Sequence, residues 1–315
     1  MSIGIALGSG SARGWAHIGV LEALHEEGIH PAYVAGTSIG SLVGAAYAAG
    51  NLAVLKQAAL EIDLRQVIYY FVQASIPRSG LVDGARVAEF LRKNIGAATI
   101  EELKLPYRAV AADMLAGEEV VFSSGDLIEA IRSSISMPGI FTPVYTHGRV
   151  LVDGGILNPV PVEHVRAMGA TKVIAVDINH GLLRKAEKSI PPDLIQKAKQ
   201  QVAKAADKAP KLSGLAHRIH EGLAKLTPAN LGRLRKWLSP DPVPNIFDVI
   251  SNTVRIMQEQ ITDARMTIHP PDLLIRPDLG EIGLLEFNNA GATIQAGYDA
   301  MKKSIAAGGL DKLRG

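Results

Sequence analysis

The sequence predicts an α/β fold, with a mainly parallel central sheet covered by helices on both faces. Three observations carry that expectation. The first fifty residues read as strand, glycine-rich loop, helix, strand, tight turn, helix, which is a βαβ unit with a second helix added. Continuous apolar runs rather than alternating ones recur further on, most clearly at 172–178 (KVIAVDI), as expected of a strand buried on both faces. The chain is 47% hydrophobic but only 5% aromatic, so Ala, Val, Leu and Ile must fill the core. Its 315 residues suffice for one large domain, or one domain with an appendage.

Taken in order, residues 2–7 (SIGIAL) form a strand that ends at Gly8. The loop 8–14 (GSGSARG) follows, and residues 15–27 carry apolar side chains at helical spacing until Gly28 closes the helix. Residues 33–35 lead into Gly36-Thr37-Ser38-Ile39-Gly40, after which an Ala-, Leu- and Val-rich stretch reads as a buried helix. Residues 51–80 are mostly helical or irregular, with Tyr69, Tyr70 and Phe71 on an apolar patch, and 82–94 form a helix. Strands are expected at 107–112 and 118–122, separated by a turn at 115–117, and a helix at 127–134. Residues 141–152 suggest a hairpin around His147-Gly148, whose second strand, 149–152, stops at Asp153-Gly154-Gly155. A helix at 161–168 precedes the strand at 172–178. A helix at 245–265, a short strand at 273–276 and a closing helix at 290–306 complete the chain.

Between them the composition shifts. Residues 181–240 hold 13 Lys or Arg against 4 Asp or Glu, a net of +9 in a chain whose total is +2. Proline breaks leave two amphipathic segments there, 194–206 and 215–226, each with lysines on one face. They predict an inserted or appended helical element that either packs with its lysines in water or lies on an anionic membrane surface. Nucleic acid is not expected as a partner, because Trp237 is the segment's one aromatic residue. The chain has no cysteine, which removes disulfides, thiolate metal sites and cysteine nucleophiles. The N-terminus lacks the basic region of a signal peptide and no apolar run reaches the 18 residues of a membrane span, so a cytoplasmic protein, membrane-associated at most, is the expectation.

The stretch 33–50 organises the chemistry. A serine on a sharp strand-to-helix turn needs small residues two before and two after it, here Gly36 and Gly40, because the chain doubles back on itself. Its hydroxyl then stands at a helix N-terminus, where amides and the helix dipole favour negative charge. The loop 8–14 lies beyond the preceding strand of the same unit, so the backbone amides of Gly10 and Ser11 are placed to bind an oxyanion, with Gly8, Arg13 and Gly14 supporting the loop. Arg13 either holds that loop or helps neutralise an anion. A dinucleotide-binding loop fits less well, since Arg13 occupies the place of its third glycine, and a P-loop lacks its Lys-Ser/Thr pair. A metal is not expected either: His217 and His220 share a helix face without a carboxylate in register.

Two candidates remain for the base. His180, just past the 172–178 strand, stands where a triad histidine would, whereas His17 in the first helix reads as packed. Asp153 ends a strand before two glycines, near the same sheet edge as Ser38, and a carboxylate hydrogen-bonded to a serine can itself act as general base.

With these residues in view, the chain resembles the patatin-like phospholipases, particularly their bacterial members and the catalytic domain of neuropathy target esterase. Their glycine-rich loop ending Arg/Lys-Gly, their G-x-S-x-G serine and their Asp-Gly-Gly/Ala motif are similar to residues 8–14, 36–40 and 153–155, in that order. Residues 134–143 (SISMPGIFTP) and Asn158-Pro159 are similar to segments flanking the family's aspartate. The resemblance spans roughly residues 3–180. It implies a three-layer α/β/α fold, a Ser38/Asp153 dyad without histidine, an acyl-enzyme, and no cofactor. The substrate implied is a fatty-acyl ester of a phospholipid or lysophospholipid. Ser9 and Ser11 replace glycines that are common in the family's loop, which leaves its backbone donors in place. The expected organisation is a catalytic core at 1–180, a basic helical insertion at 181–240, and residues 241–315 completing the core. The alternative is a regulatory or scaffolding protein that keeps the fold without turnover. Neither reading fixes the oligomeric state.

Overall fold

The computed structural model describes residues 2–71, 82, 84–181, 246–280 and 282–314. Residue contacts divide the chain into two compact units, Met1–Gly181 with Val254–Gly315, and Leu182–Thr253. The segments 194–206 and 215–226, with His217 and His220, lie outside the described residues.

In the first unit an eight-stranded sheet is built from β1 (Ile3–Leu7), β2 (Tyr33–Thr37), β3 (Tyr107–Asp113), β4 (Glu118–Phe122), β5 (Val144–Thr146), β6 (Arg149–Asp153), β7 (Lys172–Val176) and β8 (Leu273–Ile275). Hydrogen-bonded neighbours run β5-β6-β3-β2-β1-β7-β8, and β4 also pairs with β3. The β1–β2, β1–β7, β2–β3 and β7–β8 pairs are parallel; those of β3 with β4, β3 with β6 and β5 with β6 are antiparallel. Alternation along the strands sends large and small residues to opposite faces. Ile5, Leu7, Val34, Ile174 and Val176 join the larger core, with α1 (Ala16–Glu26) and α2 (Ile39–Ala49). Ala6, Ala35, Val173 and Ala175 face the other way, where short side chains accommodate Val162 and Val165 of α7 (Val162–Ala167). Helices on both faces make the three-layer α/β/α arrangement that the sequence predicts.

The remaining helices of the described residues are α3 (Leu52–Glu61), α4 (Leu64–Phe71), α5 (Ala85–Ile95), α6 (Leu127–Ser134), α8 (Ile246–Ile268), α9 (Ala290–Ala306) and α10 (Asp311–Arg314). Several bounds differ from expectation for local reasons. Residues 11–15 form a 3-10 turn, so α1 starts at Ala16. The helix expected from Val82 begins at Ala85, because Gly84 is left-handed (φ 79°) and Val82 instead bridges to Phe141. Tyr69 is exposed, while Tyr70 packs edge-to-face on Phe90. The C-terminal segment docks on the N-terminal one by close backbone approach: a Cβ at Gly19 would sit 1.9 Å from the Ile294 carbonyl oxygen, and one at Gly297 2.0 Å from that of Ala16. Among the described residues no helix is long and apolar enough to cross a membrane.

Candidate active site

Register explains how two residues 115 positions apart meet. A strand has two pairing edges. β4 takes residues 109–113 on one edge of β3, so β2 and β6 must share the other. β2 runs up that edge until Thr37 pairs with Val110, and β6 runs down it until Asp153 pairs with Ala111. The two strands abut end to end at adjacent register positions. The residues that leave their tips, Ser38 and Asp153, therefore face each other.

Ser38 sits at φ 57°, ψ −127°, a conformation costly to a residue with a Cβ. Its flanks must be glycine. A Cβ on Gly36 would lie 2.3 Å from the Gly40 carbonyl oxygen, and one on Gly40 would lie 2.1 Å from that of Leu7. Three side chains hold the strained turn. Ser134 Oγ accepts the Ser38 N–H at 2.8 Å while donating to the Val110 carbonyl at 2.6 Å. Ser41 Oγ donates to the Ser38 carbonyl at 2.6 Å, and Thr37 Oγ1 to the Asn158 carbonyl at 2.8 Å.

The Ser38 hydroxyl donates to Asp153 Oδ2 at 2.5 Å, and the Gly155 N–H donates to Oδ1 at 2.8 Å. Asp153 is buried, and burial pushes its carboxyl from the usual 3.8 up to about 6, against the lowering effect of those two hydrogen bonds. A carboxylate so placed and so tuned can accept a proton near neutral pH. His180, the other candidate base, is exposed to solvent, and the Ser38 proton points at Asp153 instead. His17 is buried, with Nε2 2.8 Å from the Gly8 carbonyl, and desolvation lowers it to about 4, so it stays neutral.

The loop 8–14 closes over the serine. Ser11 has φ 55°; with Ser38 and His147 it is one of three non-glycine residues of positive φ among the described residues. Gly8 and Ser9 donate their N–H groups to Val176 and Pro159, and Ala12 to Leu284. Among the described residues no acceptor meets the N–H groups of Gly10 and Ser11. Gly14 packs against Ile39, the residue after Ser38. Of the two roles open to Arg13, the structure favours holding the loop: it is buried and donates to the Ile282 carbonyl at 2.9 Å and to Asn179 Oδ1 at 3.1 Å. Asn179 passes the restraint on, donating to the Ser9 carbonyl at 2.9 Å and to Gln258 Oε1 of α8 at 3.0 Å.

Ser11 and Ser38 line one end of a slot of about 760 Å³, counting its open mouth. Its other walls are almost wholly apolar, among them Trp15, Leu42, Ile135, Met137 and Phe287.

Several supports were not legible as motifs. Gly154 to Asn158 are gripped from behind by Arg265 of α8, which donates to the Leu157 carbonyl at 3.2 Å and pairs with Glu119 at 2.6 Å and with Glu163. Asn158 Nδ2 donates to the same two carboxylates, and His164 Nε2 lies 2.8 Å from Glu119. Glu119, Glu163 and His164 bring ligand-type atoms within 4.8 Å of one another, but the Arg265 guanidinium bridges the two carboxylates. Burial would raise Glu119; hydrogen bonds from His164 and Asn158 and the charge of Arg265 outweigh it and hold the carboxyl at about 2. Only Asn158, beside Pro159, carried a sequence signal. Ser134 lay in the recognisable 134–143 segment without a role of its own, and Asn179, Gln258 and Arg265 carried no signal, because each acts from a different element.

Comparison with known proteins bears on the family of the chain. The family profile described as patatin-like phospholipase matches residues 5–166. An uncharacterized NTE family protein of Mycobacterium tuberculosis is 30% identical over 98% of this chain and 92% of its own length. Patatin-like phospholipase domain-containing protein 6 of Mus musculus is 36% identical over 56% of this chain and 13% of its own. Neuropathy target esterase of Drosophila melanogaster is 33% identical over the same shares. A profile that covers half of the sequence, with a relative aligned over nearly all of it, establishes that the chain belongs to the patatin-like phospholipase family.

Proposed function

We propose that this protein is a serine acyl hydrolase that cleaves fatty-acyl esters of phospholipids or lysophospholipids through Ser38 and Asp153. One observation carries the reading: the 2.5 Å hydrogen bond from Ser38 to a buried carboxylate at the head of an apolar slot. Asp153 takes the Ser38 proton as Oγ attacks the acyl carbonyl. The carbonyl oxygen becomes an anion facing the open N–H groups of Gly10 and Ser11 and the N-terminus of α2. When the intermediate collapses, the ester C–O bond breaks and Asp153 returns the proton to the departing alcohol. A water then gives its proton to Asp153 and attacks the acyl-enzyme; the Ser38 oxygen leaves, recovers that proton, and the fatty acid is released. A base near 6 is better matched to neutral pH than an ordinary aspartate.

The test is hydrolysis of a short-chain p-nitrophenyl ester by wild type, Ser38→Ala, Asp153→Asn and His180→Ala, with fluorophosphonate labelling of each. The first two variants should lose on the order of 10⁴-fold or more in kcat. A folded Ser38→Ala that keeps wild-type turnover would overturn the assignment. Peripheral contact of residues 181–240 with anionic membrane belongs to the same reading and rests on their net charge of +9. Flotation with anionic but not neutral liposomes supports it, and equal, negligible flotation with both sinks it.

A further inference from the structure

The slot that opens at Ser38 is lined in part by residues of the larger core, Leu42 and Val67 among them. Its lining also includes Ile62 at the end of α3, Tyr70 of α4 and Phe90 of α5. The same three residues line a second cavity on their other side, a groove among α3, α4 and α5. These three side chains are thus common to both spaces. Two of them form an aromatic pair, with ring centroids 5.8 Å apart and planes at 72°. The two spaces differ in kind. The slot is narrow, a cavity of about 80 Å³ inside its mouth against about 620 Å³ for the groove. The groove is of mixed character, with Glu61, Arg86, Glu89 and Lys93 lining it beside Ala53 and Ala58.

We propose that Tyr70 and Phe90 are the end stop that sets acyl-chain length, and that the groove beyond them takes the tail of a longer chain once the stop is removed. The proposal rests on Ser38 being the acylated residue. An extended methylene chain is a thin apolar rod, so a narrow apolar slot admits one and aligns its carbonyl with Ser38. Each buried methylene raises kcat/KM about three- to fourfold as long as it finds wall to cover. Where the chain end meets the rings, that gain must stop. Aromatic rings suit the task because they are bulky and have only two side-chain torsions to fix. They also hold each other by edge-to-face packing.

The experiment measures kcat/KM for p-nitrophenyl esters from acetyl to palmitoyl, in one detergent at fixed concentration. Each value is expressed relative to the acetyl ester of the same variant, so that a general loss of folded protein cancels. Wild type should rise with chain length and then break. In Phe90→Ala, and in the gentler Phe90→Leu and Tyr70→Leu, the break should move to longer chains, with at least a tenfold gain for the first esters beyond the wild-type limit. Phe90→Trp should move it to shorter chains, and Tyr70→Phe, which keeps the ring, should leave it in place. An unchanged break in Phe90→Leu, Tyr70→Leu and Phe90→Trp overturns the stop. Ser38→Ala in the same series keeps the two readings apart. If it hydrolyses every ester as wild type does, the proposed function fails; if it is inert while the ring variants keep the wild-type break, only the stop fails.

Discussion

Residues 36–40 and residues 258–265 both hold the centre of this protein together, by opposite means. The first is a five-residue turn that works through absence. Gly36 and Gly40 leave room for main chain at 2.1–2.3 Å from where a Cβ would stand, and the strain is concentrated on Ser38. The second is a stretch of helix that works through reach. Gln258 and Arg265 extend long polar side chains onto the 8–14 loop network and the segment after Asp153. A site built on close backbone contact tolerates almost no added atom. A site braced by long side chains should degrade in steps, because a shorter donor can still find part of the contact.

That contrast can be broken or sharpened by substitution. The largest effect is expected at Gly40→Ala, where the new Cβ meets the Leu7 and Gly8 carbonyl oxygens, main-chain atoms that cannot rotate away. We expect a loss of about 3 kcal/mol or more, or failure to fold, read by urea denaturation. Next comes Arg265→Met, which leaves Glu119 and Glu163 with only Asn158 and His164 as partners. Losing one partner of a fully buried pair costs roughly 3–5 kcal/mol, but these side chains are 18–28% exposed, so about 1–3 kcal/mol is expected, with kcat down about tenfold. Arg265→Lys should fall between that variant and wild type; if it is as damaging as Arg265→Met, bracing by reach is the wrong description. Gln258→Leu should cost about 1 kcal/mol, the value of a hydrogen bond. His180→Ala should change activity less than twofold.

The carboxylates that partner the two regions, Asp153 on Ser38 and Glu119 on Arg265, carry opposite pH signatures. Asp153 has a folded-state value near 6 against 3.8 for a free carboxyl, so the folded protein binds its proton more tightly than the unfolded chain does. Its burial therefore opposes folding above about pH 6, and that penalty fades as pH falls towards 4. Activity runs the other way: kcat/KM should rise with pH through about 6 and level off above it, since the base must be ionised. Asp153→Asn should accordingly raise Tm at pH 7 while abolishing turnover, a trade of activity for stability. Glu119, held at about 2, contributes stability above its ordinary 4.5 that is lost as pH falls towards 2. Removing Arg265 should shift acid unfolding to higher pH without moving the neutral limb of the activity profile. Movement of both limbs together would mean that the brace and the dyad are one unit.

How much of this was readable beforehand follows the same division. The α/β class, the βαβ start and the strand ends bearing residues 8–14, 36–40 and 153–155 were legible, because each depends on contacts within a few residues: apolar runs make buried strands, and backbone strain demands glycine at fixed offsets. The family followed from the same short motifs in order. Distances were not legible. Asp153 meets Ser38 only because β2 and β6 share one edge of β3, a fact of strand pairing that no local pattern encodes. The motifs favoured Asp153 over His180 without giving a distance; register adds that Asp153 lies against the serine while His180 is in solvent. Arg265, Gln258 and Asn179 look like ordinary polar residues in the sequence; burial and the partners they meet across the fold give them their roles. The sequence by itself determined which chemical groups are present and which turns present them. The tertiary structure alone decided which groups touch, because that depends on strand order and on side chains that reach between elements far apart in the chain.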